Sequence, residues 1–92
     1  MYQKIFSKKF KKSMRKIVYS GTIRREEIES VLDMLARGDR LTEKYQDHAL
    51  QGSFEGFREC HVRPDLLLIY KKENELLILL LINIGSHSEL FG

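Results

Sequence analysis

His48, His61 and His87 are the only histidines of the chain, and Asp65 follows His61 across Pro64. Arg58 and Arg63 lie on either side of His61. An imidazole with a reference pKa of ~6.5 acts as acid or base near neutrality. A guanidinium offers a forked donor to phosphate. This set of side chains suits metal-free RNA cleavage. There the 2′-hydroxyl attacks the neighbouring phosphate, a base takes its proton, an acid protonates the departing 5′-oxygen, and a cation steadies the phosphoryl charge. Two other chemistries rank lower. Three histidines and a water would make an open zinc site, but the short spacings of ligand pairs are missing. Cys60 as a nucleophile requires exposure, and its side of the strand is expected to face the helices.

The elements that must position these groups follow from periodicity. "YQKIFS" (2–7) alternates weakly, as a short strand does. From Ser7, an N-cap residue, Phe10, Met14, Ile17 and Val18 mark one face of an amphipathic helix, which Tyr19-Ser20-Gly21 ends. A second helix is expected from a Thr22 cap, with Glu26 and Glu27 near its positive end. Its stripe is Ile28, Val31, Leu32 and Leu35, and Arg37-Gly38 stops it. Residues 39–56 read as irregular. "FRECHV" (57–62) alternates, with Arg58, Cys60 and Val62 on one side and Phe57, Glu59 and His61 on the other. "RPD" is a turn, "LLLIYK" (66–71) a strand, "KENE" (72–75) a hairpin turn and "LLILLLINI" (76–84) a buried strand. The expected fold is α+β, a two-helix hairpin on a small twisted antiparallel sheet. In that order Asp65, His61 and His87 meet at one sheet edge, and His48 needs only a loop to join them.

At 92 residues, residues 1–92 form one domain with one core. A single cysteine cannot make an intrachain disulfide, and the apolar run at 76–82 is far short of the ~20 residues of a membrane helix. No secretory signal is visible, so a reducing cytoplasmic setting is expected. The net charge of +3 is unevenly spread. Residues 1–20 carry Lys4, Lys8, Lys9, Lys11, Lys12, Arg15 and Lys16 and no acid. Such a patch attracts a polyanion, and a nucleic acid is the expected partner. Tyr45, Phe54 and Phe91 are either core plugs or platforms for bases.

The stretch from Asp47 to Asp65 fits D-H-x-L-x-G-x-x-x-G-x-R-x-x-H-V-x-P-D; L-x-Y ends on Tyr70, and Gly85, His87, Leu90 and Phe91 fit G-[ST]-H-x-x-L-F. This pattern resembles the YafQ-type branch of the RelE/ParE toxin superfamily, the ribosome-dependent mRNA interferases of toxin–antitoxin pairs. The lysine-rich first half is similar too. The resemblance implies an endoribonuclease that cuts messenger RNA in the ribosomal A site without a cofactor. It implies a DinJ/RelB-like antitoxin that wraps the toxin and blocks the site, the pair together binding operator DNA; a membrane has no part. Carried over by position, His48, His61, Asp65 and His87 form the acid–base set, with His87 first choice for the acid and Asp65 or His48 for the base. Phe91 helps to place the RNA, Arg58 is a phosphate contact or an anchor for the sheet, and Lys8, Lys9 and Lys12 meet RNA.

The sequence departs from that pattern twice. Relatives often carry an arginine shortly before G-[ST]-H, where this chain has Asn83, and a tryptophan after the aspartate, where it has Leu66. The competing readings are a non-cleaving module that binds RNA or a partner and a ParE-like poison of DNA gyrase. Gly85 is expected to permit a turn, and Leu90 to plug the core and hold the histidine in place.

Overall fold

Ser7 ends the first strand and starts the first helix. Its hydroxyl accepts from the Phe10 N–H (3.0 Å) and donates to the Ile82 carbonyl (2.5 Å), so one side chain caps the helix and ties it to a distant strand. The computed structural model describes residues 1–92. β1 (Gln3–Phe6) runs into α1 (Lys8–Tyr19), then α2 (Arg25–Arg37). Two 3₁₀ turns, Glu43–Tyr45 and Gly52–Phe54, bracket the short β2 (His48–Ala49). β3 (Arg58–Arg63), β4 (Leu66–Glu73) and β5 (Ile78–Gly85) follow, and α3 (His87–Phe91) comes last.

The sheet has the order β1-β5-β4-β3-β2. The fold is α+β, as the patterns require, but the sheet is mixed: β1 lies parallel to β5. The partner of β1 is the last strand, which follows only after both long helices and three further strands, so no hairpin forces the two to run antiparallel. Phe10 and Met14 of α1 and Ile28, Val31, Leu32 and Leu35 of α2 pack on Cys60, Leu68, Tyr70, Leu79, Leu81 and Ile84. Leu67 and Ile69 are also buried, at 1% and 2% exposure, yet they stand outside this cluster, on the opposite face of β4.

Local readings changed in four places. The α2 N-cap is Arg24, not Thr22, and it makes no side-chain cap. The Thr22 carbonyl is instead held by Arg63 (3.0 Å). Residues 39–56 are not wholly irregular, because His48 and Ala49 pair antiparallel with Glu59 and Arg58. β4 extends through Lys72 and Glu73, so the hairpin turn moves to 74–77, with Leu77 at φ 52°. And the residues from His87 form a helical turn rather than a tail.

Candidate active site

The sheet register builds the site. His48 is opposite Glu59, and Glu59 is opposite Ile69. One rung along, His61 is opposite Leu67, and Leu67 opposite Gly85. Paired residues share a face, so His48, Glu59 and His61 stand together on the face away from the main core. His61 and Gly85 are two interstrand spacings apart, roughly 10 Å. Ser86 and His87 come directly after Gly85.

α3 is short, and its start is fixed by three contacts. Ser86 caps it by accepting from the Glu89 N–H (3.2 Å), and the Glu89 carboxylate accepts from the Ser86 N–H (2.8 Å). This reciprocal pair is a capping box. The Ser86 bonds hold the Glu89 carboxyl below its ordinary value of 4.5. The third contact is Asp65, whose Oδ1 accepts from the His87 N–H (3.1 Å). Asp65 therefore meets His87 as expected, but through the backbone. The imidazole of His87 is exposed, makes no hydrogen bond within the chain, and lies 5.2 Å from the Phe91 ring, which packs edge-on to Phe54 at 5.3 Å. Gly85 is not needed for a left-handed turn. It is needed for space: a Cβ there would come within 3.1 Å of Glu89 Oε1 and 3.5 Å of Leu90. Leu90 is half-buried beside Gly85 and does not plug the core.

The three imidazoles differ in their partners. His48 Nδ1 lies 2.6 Å from the Gln46 carbonyl, which can only accept, so Nδ1 carries the proton and Nε2 of the neutral ring keeps its lone pair. His61 Nδ1 is 3.2 Å from the Pro64 carbonyl, and its Nε2 is 3.1 Å from Glu59 Oε1. Both ring nitrogens therefore face an acceptor, and the ring is fixed in place. Glu59, at 6% exposure, is the one buried charged residue of the chain. The sequence pattern placed it beside His61 but gave it no role; its alternation with buried Cys60 was the available signal.

A second network holds the strand that carries His48. The Tyr70 hydroxyl donates to Asp47 Oδ1 (2.5 Å), and Arg58 Nε approaches the same oxygen at 3.4 Å. Burial, then the bond to Asp47, pushes the Tyr70 phenol up, so it stays a neutral donor. Arg58 is thus an anchor first, its remaining nitrogens partly exposed. Cys60 is fully buried, and burial with the charge of Asp47 pushes its thiol up to about 12, which leaves no thiolate for nucleophilic work. Lys8, Lys9 and Lys12 are exposed on α1, and Lys9 and Lys12 share a groove with Asn83 and Glu89 rather than with the histidines. Asn83 accepts from Ser13 (2.8 Å) and from the Ile84 N–H (2.9 Å). Leu66 is half-buried beside the core. No helix is long and apolar enough to cross a membrane.

Comparison with known proteins fits this geometry. A protein named "mRNA interferase toxin YafQ" from Escherichia coli K12 is 50% identical over 48 residues, 52% of this chain. That match spans about half the length of the relative (50%). A metal-bound toxin from Helicobacter pylori superposes with a TM-score of 0.89 at 42% identity, covering 99% of this chain and 100% of the other. The E. coli DinJ–YafQ complex gives a TM-score of 0.86 at 30% identity over 100% of both chains. The family model described as a bacterial toxin of type II toxin–antitoxin systems, YafQ, matches residues 2–92, and the chain belongs to that family.

Proposed function

We propose that this toxin is an endoribonuclease that cleaves messenger RNA in the ribosomal A site, by acid–base chemistry of its own side chains. The observation that carries the proposal is the shared rim: His48 across from Glu59, Glu59 bonded to His61, and Asp65 bonded to the first residue of α3, His87. The partners of each ring suggest a division of labour. His48, with Nε2 unprotonated, takes the proton of the 2′-hydroxyl. That oxygen attacks the phosphorus, and the bond to the 5′-oxygen breaks. His87, free in solvent, gives that oxygen a proton, so the products end in a 2′,3′-cyclic phosphate and a 5′-hydroxyl. His61, bonded to Glu59 and Pro64, is fixed at the rim beside the reacting groups. Asp65 acts by positioning α3, which moves the base assignment to His48. Phe91 and Phe54 form a ledge on which a base can stack.

In this reading the lysine face of α1, with Lys8, Lys9 and Lys12, meets ribosomal RNA. A DinJ-like antitoxin covers the site, by analogy with the E. coli complex, and operator DNA is met only through that pair. The setting is the cytoplasm, where ribosomes are. One observation favours a non-cleaving binder instead: Asn83, whose Oδ1 accepts from Ser13 and Ile84, lends the rim no cation. Primer extension on a defined messenger in a reconstituted translation system decides between them. New 5′ ends that need both ribosomes and His87, and vanish with His87→Ala, are expected. No new ends from a folded protein would overturn the cleavage reading.

A further inference from the structure

The largest cavity of the molecule, about 530 Å³, lies beside the rim and not on it. Val31 of α2 floors it, the Glu43–Tyr45 turn and Gln46 make one wall, and His61, Arg63 and Pro64 make the other. This size is ordinary for a small-ligand pocket. His61, a residue of the rim, lines the cavity together with Pro64, to which it is bonded, and Asp65 follows Pro64 in the chain. Whatever occupies the cavity is therefore a neighbour of the reacting groups.

Its chemistry is uneven. Glu27 and Arg63 face the cavity but consume each other in a paired contact, 2.7 and 2.8 Å. Arg63 Nη1 is also taken, by the Thr22 carbonyl. That leaves Lys44 as the one cation of the lining without a carboxylate partner. Its ammonium stands 5.0 Å from the centre of the Tyr45 ring. Tyr45 is half-buried, with part of its surface packed on the core and part lining the cavity. Gln46 is held at φ 47°, a conformation costly for a residue with a side chain. The same residue gives its carbonyl to His48, so a strained turn joins the cavity wall to the proposed base.

We propose that this cavity is a subsite for one nucleotide of the RNA adjoining the cleaved bond, with its base stacked on Tyr45, its edge read by the Gln46 amide and its phosphate met by Lys44. The inference rests on the cleavage reading for its place in the reaction. The Lys44 ammonium lies over the Tyr45 ring, so a base takes that face as the ammonium moves across to its phosphate. An amide reads a base edge with both donor and acceptor. The subsite would make the adjoining nucleotide, and not only the codon in the decoding centre, a determinant of where the chain cuts.

The test has two arms. In the first, the intact protein is titrated with each nucleoside 3′-monophosphate and, separately, with inorganic phosphate, and backbone amides are followed by NMR. Shifts at Ser30, Tyr45 and Gln46 with a nucleotide but not with phosphate are expected, and Lys44→Glu should weaken binding about 10-fold or more. In the second, cleavage sites are mapped for Gln46→Asn, which keeps the left-handed turn and shortens the amide. Its preference at the nucleotide beside the cut should relax, with KM raised and kcat little changed. Absence of nucleotide shifts, or an unchanged preference and KM in an active enzyme, would overturn the subsite and point to a side chain of a protein partner as the occupant. Nucleotide binding in a protein that cuts nothing would sink the cleavage reading and leave the subsite standing.

Discussion

Tyr70→Phe removes one oxygen and keeps the ring that fills the core. Asp47 Oδ1 then loses a 2.5 Å bond and retains only Arg58 at 3.4 Å. A hydrogen bond to a charged acceptor contributes about 1.5–3 kcal/mol. The Asp47 side chain is 23% exposed, so water replaces part of the loss and the cost falls near the lower end, about 1.5–2 kcal/mol. At about 4–8 °C per kcal/mol for a domain of this size, Tm should drop by about 6–16 °C. The effect on activity should be separate from unfolding. β2 has two residues, and apart from its pairing with β3 the Asp47 network is its tie to the sheet. A loosened His48 should slow cleavage about 10- to 100-fold at a temperature where the variant is still folded, since small misplacements of a reacting group cost that much. Asp47→Asn is the control. It keeps an acceptor for Tyr70 but makes it neutral, about 1 kcal/mol weaker, and gives up a partly exposed ion pair worth about 0–1 kcal/mol. Thermal melts, together with cleavage rates measured well below Tm, read both effects. An unchanged Tm for Tyr70→Phe would refute the network as the strand's anchor.

Two further predictions concern α3. Gly85→Ala places a Cβ 3.1 Å from Glu89 Oε1, so the carboxylate must give by a few tenths of an ångström and its bond to the Ser86 N–H weakens. The change should cost about 1 kcal/mol, and amide exchange in α3 should quicken while β3 and β4 stay protected; unchanged protection of α3 would contradict the reading. Lowering the pH acts on the same contact. The Glu89 carboxyl is held below its ordinary 4.5 by the Ser86 bonds, so its support of α3 is complete above that value and fades as pH falls through the lower folded value. Amide protection of α3 should therefore fall below pH 4.5 and not before; loosening of α3 above about pH 5 would show that another group holds it.

The candidate site was legible to the extent that it depends on alternation and turns. Cys60 and Val62 fall in the core and Glu59 and His61 on the far face, as the pattern of β3 requires. Asp65 and His87 meet because a hairpin must bring the start of β4 to the end of β5. What was hidden depended on long-range partners. Nothing local says that Asp47 accepts from Tyr70, or that the Thr22 carbonyl would be drawn to Arg63 instead of Thr22 opening α2. β1 is too short to declare its direction, so the parallel edge could not be read. Lys72 and Glu73 looked like turn residues by polarity, yet they sit in β4, where Lys72 covers the Tyr2 ring at 4.9 Å. Gly85 looked like a conformational requirement and is a steric one.

The least legible feature is also the one that aims His87. Along β5 the residues packed in the core are Leu79, Leu81 and Ile84, a spacing of two and then three. The extra residue is Ile82: Tyr70 pairs with Leu81, but Ile69 pairs with Asn83. In a run as apolar as "LLILLLINI" the one signal is Asn83, a polar residue in phase with Leu79 and Leu81, and a single residue is little to read a bulge from. Its consequence follows from the two-residue period of a strand. A bulge reverses which face each later residue takes. With Ile82 inserted, Ile84 returns to the core and Gly85 lies beside Leu67 on the face that carries His61. Without it, Gly85 would lie among the helices and Ile84 on the site's face. The glycine would then no longer leave room for Glu89 where α3 begins. One inserted residue in the middle of a strand thus decides on which side of the sheet the proposed acid stands.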